Sequence, residues 1–291
     1  MPEMKMHYRR IQKVLWIVLV LNSLVAAAKI TYGWKTGSAS MTADGFHSLA
    51  DGTSNVIGLI GIHICSQPKD EDHPYGHKKF ETLFALGIAA MLLLVAFNLG
   101  RTGVERIMHP VVPRVDLISF VIMIITILVN TTVMIYERRR GKALKSDILM
   151  ADAMHTRADI FTSLSVIIAL VCVKLGFPMI DPVVTLVIAG FIAYSAFIII
   201  RQESGILCDA AAITDTTEIE NVVTRISGVK SCHKIRTRGR PDDVYIDLHI
   251  QIAGTMTMTD SHLLSHTIQK EIKNSFPQIV DVLVHMEPET F

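Results

Sequence analysis

The chain has few cysteines and lacks the short motifs that mark many enzymes. Its four cysteines (Cys65, Cys172, Cys208 and Cys232) include no CxxC pair, which argues against a disulfide framework and against a thiolate zinc site. The HExxH pattern of zinc hydrolases and the GxxxxGK(S/T) loop of nucleotide-driven proteins are also absent. The formal charge is only +1, so no nucleic acid is expected as a partner.

Apolar residues, by contrast, are abundant. They make up 50% of the 291 residues, and the mean hydropathy of +0.41 is too high for an ordinary soluble enzyme of this length. A membrane helix needs about 20 largely apolar residues, and six stretches meet this requirement: about 13–34, 40–65, 80–100, 115–136, 148–176 and 181–202. Soluble sequence follows from about Ser204. We therefore predict a membrane domain over 1–204 and a soluble domain over 205–291.

The positions of lysine and arginine predict the orientation, because these residues are enriched in cytoplasmic loops. They cluster before the first stretch, between the second and third, and between the fourth and fifth, where Arg138, Arg139 and Arg140 stand together. The loops on the opposite side carry fewer. Both termini and the soluble domain are therefore expected on the cytoplasmic side of a multi-pass protein of the cell (inner) membrane.

The soluble domain is predicted to fold as α-β-β-α-β. Residues 217–229 and 261–276 have helical patterns. Residues 244–252 alternate between apolar and polar side chains, as expected of a half-buried strand, and residues 280–288 form the last strand. A small α+β layer of this kind packs its helices on one sheet face and leaves the other face free for a partner.

Two of the membrane stretches share a polar motif that is unusual for a bilayer helix. The sequences ADGFHSLAD (Ala43–Asp51) and ADAMHTRAD (Ala151–Asp159) both read AD-x-x-H-x-x-AD. In a helix this spacing puts the two aspartates and the histidine of each motif on one face. The resulting stripes are Asp44, His47 and Asp51 in one stretch and Asp152, His155 and Asp159 in the other.

Insertion of an ionised side chain near the centre of a bilayer helix costs about 2.5–3.5 kcal/mol. Ionised side chains in these stretches must therefore face each other, water or a cation. Two imidazoles and two carboxylates suit a tetrahedral divalent metal. Here they are His47, Asp51, His155 and Asp159. Asp44 then flanks the outer approach and Asp152 the inner one. A proton relay, or a polar cluster that only holds the two helices together, is the alternative interpretation.

These motifs, with the stretches HPYGHKKFETL, SCHKIRTR, VYIDLHIQI and VLVHMEP, resemble the cation diffusion facilitator family over nearly the whole chain, especially its bacterial zinc- and iron-efflux branch. The resemblance implies six transmembrane helices, a ferredoxin-like (metallochaperone-like) cytoplasmic domain for metal binding and dimerisation, and a homodimer that exports divalent metal in exchange for protons. It assigns the transport site to the same four residues. His47 resembles a zinc-selective pattern, because imidazole favours zinc over manganese; Fe²⁺ and Cd²⁺ are the alternatives.

Two further features follow from the resemblance. Asp70, His73 and His77, in the loop between the second and third stretches, match a metal site of some family members. A polar, solvated turn is the alternative interpretation of this loop. Lys79 and Asp209 match a charged pair that joins the membrane and soluble domains in the family.

The resemblance also implies a two-metal site in the cytoplasmic domain. Its matched positions are His233, His249, His262, His285 and Glu287. Glu287 departs from the aspartate of the related branch, and its longer side chain changes the geometry expected of one metal position. His262 and His266, four residues apart on a helix, form an alternative pair.

The expected function is therefore export of Zn²⁺, both transported and regulatory, by a proton-coupled antiporter that is not an enzyme. Its expected partners are a second copy of the chain, the divalent metal, protons and the membrane. The alternatives are a membrane-embedded metal sensor or binding protein, and a carrier dedicated to iron or manganese. Asn22, Asn98 and Asn130, which lie in membrane stretches, are expected to hold helices together rather than to bind substrate.

Overall fold

The computed structural model describes residues 2–36, 45–46, 48–49, 52–108, 117–174 and 180–289. The chain divides into two compact units, Met1–Glu203 and Ser204–Phe291. The long helices of the first unit are α1 (Pro2–Thr36), α2 (Thr53–Cys65), α3 (Lys79–Met108), α4 (Leu117–Leu144), α5 (Asp147–Lys174) and α6 (Ile180–Leu207), the last of which runs past the boundary.

The membrane character of the first unit is visible in its apolar helices. Among the described residues, four helical segments are long and apolar enough to cross a bilayer: Met6–Tyr32, Lys79–Met108, Phe120–Leu144 and Pro182–Leu207. Large side chains such as Leu94, Phe97 and Leu128 are 62–70% exposed on their outer faces. Such a surface suits lipid rather than water. The remaining helices, α2 and α5, belong to the predicted stretches 40–65 and 148–176, which contain the acidic motifs.

Helix α5 lies centrally in this unit and contacts α2, α3 and α4. Small residues on α2 allow the close approach. A Cβ added at Gly61 would lie 2.6 Å from Phe84 Cγ and 2.9 Å from Ile148 Cδ1, so only glycine fits between α3 and α5. Ile148 and Leu149 are fully buried at the start of α5. The first turns of α5 are therefore enclosed by protein rather than by lipid.

The second unit is a small α+β layer whose elements follow the predicted order. They are α7 (Thr217–Thr224), β1 (Ser231–Arg240), β2 (Asp243–Ile252), α8 (Met258–Ser275) and β3 (Ile279–Pro288). The sheet has the order β1-β2-β3, with β1 antiparallel and β3 parallel to β2. Helix α7 is shorter than the predicted 217–229: it ends at Thr224, and turns that include Gly228 (φ +97°) lead into β1.

The strict alternation read in β2 has its predicted consequence. Val244, Ile246, Leu248, Ile250 and Ile252 are all buried on one face of the sheet. Helices α7 and α8 cover that face with buried apolar side chains, among them Ile219, Val223, Leu264, Ile268 and Ile272. The opposite face carries the polar residues of β2. A membrane α-helical unit followed by an α+β domain, as predicted, is confirmed.

Candidate metal centres

The polar stripe predicted on α5 is buried within the membrane unit. Asp152 is 1% and His155 3% exposed, while Asp159 is half-buried. Among the described residues, neither ring nitrogen of His155 has a hydrogen-bond partner. Buried polar atoms almost always have partners. This imidazole is therefore chemically suited to bind a ligand.

The other half of the predicted transport site cannot be compared with the structure in the same way. His47, Asp51 and the flanking Asp44 lie outside the described residues. The set of four ligands therefore stays a prediction.

A small polar cavity nevertheless brings the two motif-bearing stretches together. Its volume is about 20 Å³, and its lining consists of Asn22, Val25, Ser48, Thr126, Asn130, Thr156 and Asp159. Such a volume holds about one water molecule or ion. Ser48 belongs to the ADGFHSLAD motif and Asp159 to ADAMHTRAD, so residues of both motifs line one cavity. The buried Lys29 of α1 also reaches this point and donates from Nζ to Ser48 Oγ at 2.9 Å.

Asp152, which was predicted to flank the inner approach, is hydrogen-bonded to α2. Ser54 Oγ donates to Asp152 Oδ1 at 2.7 Å, and Asn55 Nδ2 donates to Oδ2. Asn55 in turn accepts a hydrogen bond from Asn22 Nδ2 at 3.2 Å. Asn22 thus joins α1 to α2, as expected, but Asn22 and Asn130 also line the cavity.

Glu137 on α4 is a buried acidic residue that the sequence analysis did not single out. It is 0% exposed, and its Oε2 accepts a hydrogen bond from Thr156 Oγ1 at 3.0 Å. It stands directly before Arg138, Arg139 and Arg140, so the sequence pattern suggests the start of a solvated basic loop. Glu137 directly follows the predicted membrane stretch 115–136. That proximity was the only feature of the sequence that indicated its burial.

The loop between α2 and α3 gathers its three predicted ligands. Asp70 Oδ1 lies 3.2 Å from His73 Nδ1, and Asp70 Oδ2 lies 3.3 Å from His77 Nε2. Ligand atoms about 2.0–2.1 Å from a tetrahedral zinc are about 3.3 Å apart, so these spacings fit one ion. The donor atoms of all three residues lie within 4.8 Å of one another.

A tight turn explains why this loop folds back on itself. The amide of Gly76, at φ +95°, donates to the carbonyl of His73 at 2.9 Å, which returns His77 toward Asp70. The amide of His73 donates to Asp70 Oδ1 at 2.7 Å, and this hydrogen bond is the main cause that lowers the pKa of Asp70 below its ordinary value. The carboxyl is therefore ionised, as a ligand must be.

The exposed face of the C-terminal sheet carries a row of histidines. Strand register pairs His233 of β1 with His249 of β2, and His249 with His285 of β3. The rings of His249 and His285 have centroids 4.5 Å apart, and those of His233 and His249 are 5.7 Å apart. Adjacent strands therefore bring together three imidazoles that are far apart in the sequence.

Glu287 completes this cluster from the same face of β3. Its Oε1 lies 2.7 Å from His249 Nδ1 and 3.7 Å from His285 Nε2, and its Oε2 lies 3.2 Å from His233 Nε2. The hydrogen bond from His249 is the main cause that lowers the pKa of Glu287, and the charge of Lys234 acts in the same direction. The donor atoms of His233, His249 and Glu287 lie within 4.8 Å of one another and so fit one metal ion, with His285 beside them.

His262 is placed differently from the other four residues of the predicted cytoplasmic site. Its Nε2 lies 3.0 Å from Nε2 of His266 on the exposed face of α8. Within one chain, His262 is therefore paired with His266, as in the alternative that the sequence offered. Cys232, which adjoins His233, points into the core, where burial raises the pKa of its thiol to about 11.

The remaining predicted pair joins residues of different units. Lys79 begins α3, and Asp209 follows α6 with φ +55°. Their role as a charged pair between domains stays a prediction.

Comparisons with known proteins agree with this architecture. The sequence profile of the cation efflux transmembrane domain matches residues 15–208, and that of the cation efflux protein cytoplasmic domain matches residues 214–289. An uncharacterized transporter of Methanocaldococcus jannaschii is 31% identical over 280 residues, which cover 96% of this chain and 99% of the relative.

Two bacterial relatives carry names that mention a substrate class. The cation-efflux pump FieF of Shewanella oneidensis is 29% identical over 280 residues, which cover 94% of each chain. The manganese efflux system protein MneS of Bacillus subtilis is 29% identical over 266 residues, which cover 91% of each chain.

The fold defines a multi-pass membrane protein, and both units contain clusters of histidine and carboxylate side chains. The chain belongs to the cation diffusion facilitator family of metal-efflux transporters, which confirms the resemblance seen in the sequence. Members of this family are transporters rather than enzymes, and divalent metal is their substrate.

Proposed function

We propose that the protein is a proton-coupled antiporter that exports Zn²⁺ from the cytoplasm. The observation that carries the proposal is the buried imidazole of His155, which has no hydrogen-bond partner among the described residues. The same helix carries Asp159, which lines a polar cavity together with Ser48. A partnerless imidazole in a membrane unit is destabilising unless a cation or a proton engages it. The transported ion supplies that partner.

The donor set favours zinc over harder ions. With His47 and Asp51 added to His155 and Asp159, the site would offer two nitrogen and two oxygen ligands, which suit Zn²⁺. Fe²⁺ and Cd²⁺ accept similar sets. Manganese prefers oxygen ligands, although one relative is named a manganese efflux protein. Metal-by-metal transport assays decide between these substrates.

Protons compete with the metal for the same lone pairs. Histidine side chains titrate near neutral pH, and a protonated imidazole cannot bind a metal. Proton uptake from the outer side would therefore weaken the site and release the ion there. Access would alternate by movement of helices about the cavity.

The two clusters outside the membrane are proposed to bind metal in regulatory roles. The cluster of Asp70, His73 and His77 and the cluster of His233, His249, His285 and Glu287 both have donor spacings near those of a zinc site. In a homodimer, His262 would be free to add a ligand to the partner's cluster.

We further propose that both termini are cytoplasmic and that the membrane is the inner membrane. Residues 1–204 and 205–291 are proposed to act as separate domains, which Lys79 and Asp209 join.

Transport into proteoliposomes tests the proposal. Purified protein is reconstituted with a zinc-sensitive dye inside, and zinc and pH gradients are applied separately. His155→Ala should abolish zinc flux, whereas His63→Ala, which removes an exposed histidine of α2, should not. Equal flux in both variants would refute the transport site. Zinc binding without flux in the wild type would favour the sensor alternative.

A further inference from the structure

A pair of buried carboxyl groups lies beside the proposed metal pathway and is made of Glu137 on α4 and Asp152 on α5. We infer that this pair holds one proton and is a second proton-carrying site of the transporter, in addition to the metal ligands. The inference rests on the proposed antiport function. It gives Glu137, which no motif assigned, a direct part in transport.

Burial and contacts place the two carboxyls together. Glu137 is 0% and Asp152 1% exposed. Thr156 Oγ1 lies 3.0 Å from Glu137 Oε2 and 3.2 Å from the backbone carbonyl of Asp152. Thr156, one helical turn after Asp152, therefore holds the buried carboxyl of Glu137 against the turn of α5 that carries Asp152. Two adjacent carboxyls out of water cannot both be ionised without a compensating charge, so one proton shared between them is the stable arrangement.

The hydrogen-bond donors around the pair indicate where the proton resides. Asp152 accepts from Ser54 on one oxygen and from Asn55 on the other, so its ionised form is well compensated. Glu137 accepts from Thr156 on Oε2, but among the described residues its Oε1 has no hydrogen-bond partner. A proton on Oε1 converts that atom into a donor toward Asp152 and satisfies both groups.

The groups that face Glu137 come from the helices packed around it. Asp152 is the nearest charged group and Asp159 acts more weakly, both from α5. Helix α5 also carries the buried His155. From α2 the neighbouring groups are the uncharged Ser54 and Asn55, and from α1 Asn22 bonds to Asn55. The described polar partners of the pair are therefore neutral donors, apart from the acidic groups and histidine of α5.

The pair is connected to the metal cavity by two short routes. Thr156 contacts Glu137 and lines the cavity. Asn55 contacts Asp152 and binds Asn22, which also lines the cavity. An ion that reorients Thr156 or Asn22 thus changes the donors available to the carboxyls. Metal and proton occupancy are then linked, and the linkage is reciprocal.

The variant Glu137→Gln tests this assignment with little structural change. Its amide oxygen can still accept from Thr156, and its amide nitrogen can donate to Asp152 in place of the proton. The matched control is Glu81→Gln, another buried glutamate, whose Oε1 accepts from Ser146 at 2.5 Å at the start of α3. Both variants are reconstituted beside the wild type, with zinc-sensitive and pH-sensitive dyes inside the liposomes.

We expect Glu137→Gln to keep zinc flux down a zinc gradient but to be accelerated less by a pH gradient, with protons moved per zinc lower by about one. Glu81→Gln should remain coupled. An unchanged number of protons moved per zinc in Glu137→Gln would overturn the inference and leave the antiport proposal standing. Loss of zinc binding in Glu137→Gln would also overturn it, because the pair would then belong to the metal site.

Uncoupled transport by the wild type would refute the antiport proposal itself, and the inference with it. Infrared difference spectroscopy on the wild type provides a test that does not depend on folding of a variant. Zinc binding at neutral pH should change the band of a protonated carboxyl group. A spectrum without any protonated carboxyl band would overturn the inference.

Discussion

Removal of His249 should weaken metal binding by the C-terminal cluster more than removal of either of its other two histidines. His249 lies on the central strand, paired with His233 on one side and His285 on the other, and it is 2.7 Å from Glu287. Neither of the other two histidines of the cluster lies between two strands that carry histidines. His249→Ala therefore removes one ligand and the contact that orients the carboxylate.

The size of the effect follows from the number of ligands. Structural zinc sites with four ligands contribute about 10–16 kcal/mol. If the four ligands contribute equally, one is worth about 2.5–4 kcal/mol, which corresponds to a rise in Kd of about 10²–10³-fold. The partly exposed cluster should give the lower end of that range, because water can replace the missing ligand.

Competition with a chelating dye measures this Kd on the full chain in detergent. The background variant carries Asp159→Asn and His77→Gln, so that the C-terminal cluster is the only intact set among the predicted sites. His266→Ala, which removes a histidine outside the cluster, is the matched control. An unchanged Kd for His249→Ala, or an equal loss for His266→Ala, would refute the assignment of the cluster as a metal centre.

Three other outcomes follow from the described contacts. Gly61→Ala should lower the free energy of unfolding of the membrane unit by about 1–3 kcal/mol, because the added Cβ would clash with Phe84 and Ile148. Gly87→Ala, whose Cβ would have no atom within 4 Å, should leave that free energy unchanged. Unfolding of both variants in detergent measures the difference. Without metal, Glu287 should stabilise the fold above about pH 4.3 and lose that effect as the pH falls through its lowered pKa, so Glu287→Gln should flatten the acid side of a stability–pH curve. Thiol labelling of the folded protein at mildly alkaline pH should modify the exposed Cys208 and spare Cys232, whose pKa is about 11; equal labelling would contradict its burial.

Local pattern in the sequence was sufficient to predict the elements of the C-terminal unit. The alternation along β2 reflects a fixed period of two, and every apolar position in it is buried. The histidine cluster on the other face of the sheet could not be predicted from local pattern. His233, His249 and His285 meet only because of strand register, which depends on the hairpin and on the crossover through α8. Their grouping followed from family resemblance, not from spacing.

The membrane unit shows where sequence reasoning fails for a physical reason. Asp152 accepts hydrogen bonds from Ser54 and Asn55 of α2, which its own helix does not predict; its expected place beside an inner approach stays a prediction. Glu137 was not singled out because three arginines follow it. Helical periodicity specifies which residues share a face, but not which neighbouring helix covers that face. Buried partners on other helices therefore escape a reading of one helix at a time.

Helix α5 carries both kinds of group, and this has a consequence for coupling. It presents Asp159 to the cavity and Asp152 to the donors on α2. A movement of α2 against α5 that changes access to the cavity must also lengthen the hydrogen bonds from Ser54 and Asn55. Without those donors the ionised form of Asp152 loses its compensation, and proton binding becomes favourable. Protonation and alternating access would then be one event, because the same pair of helices determines both.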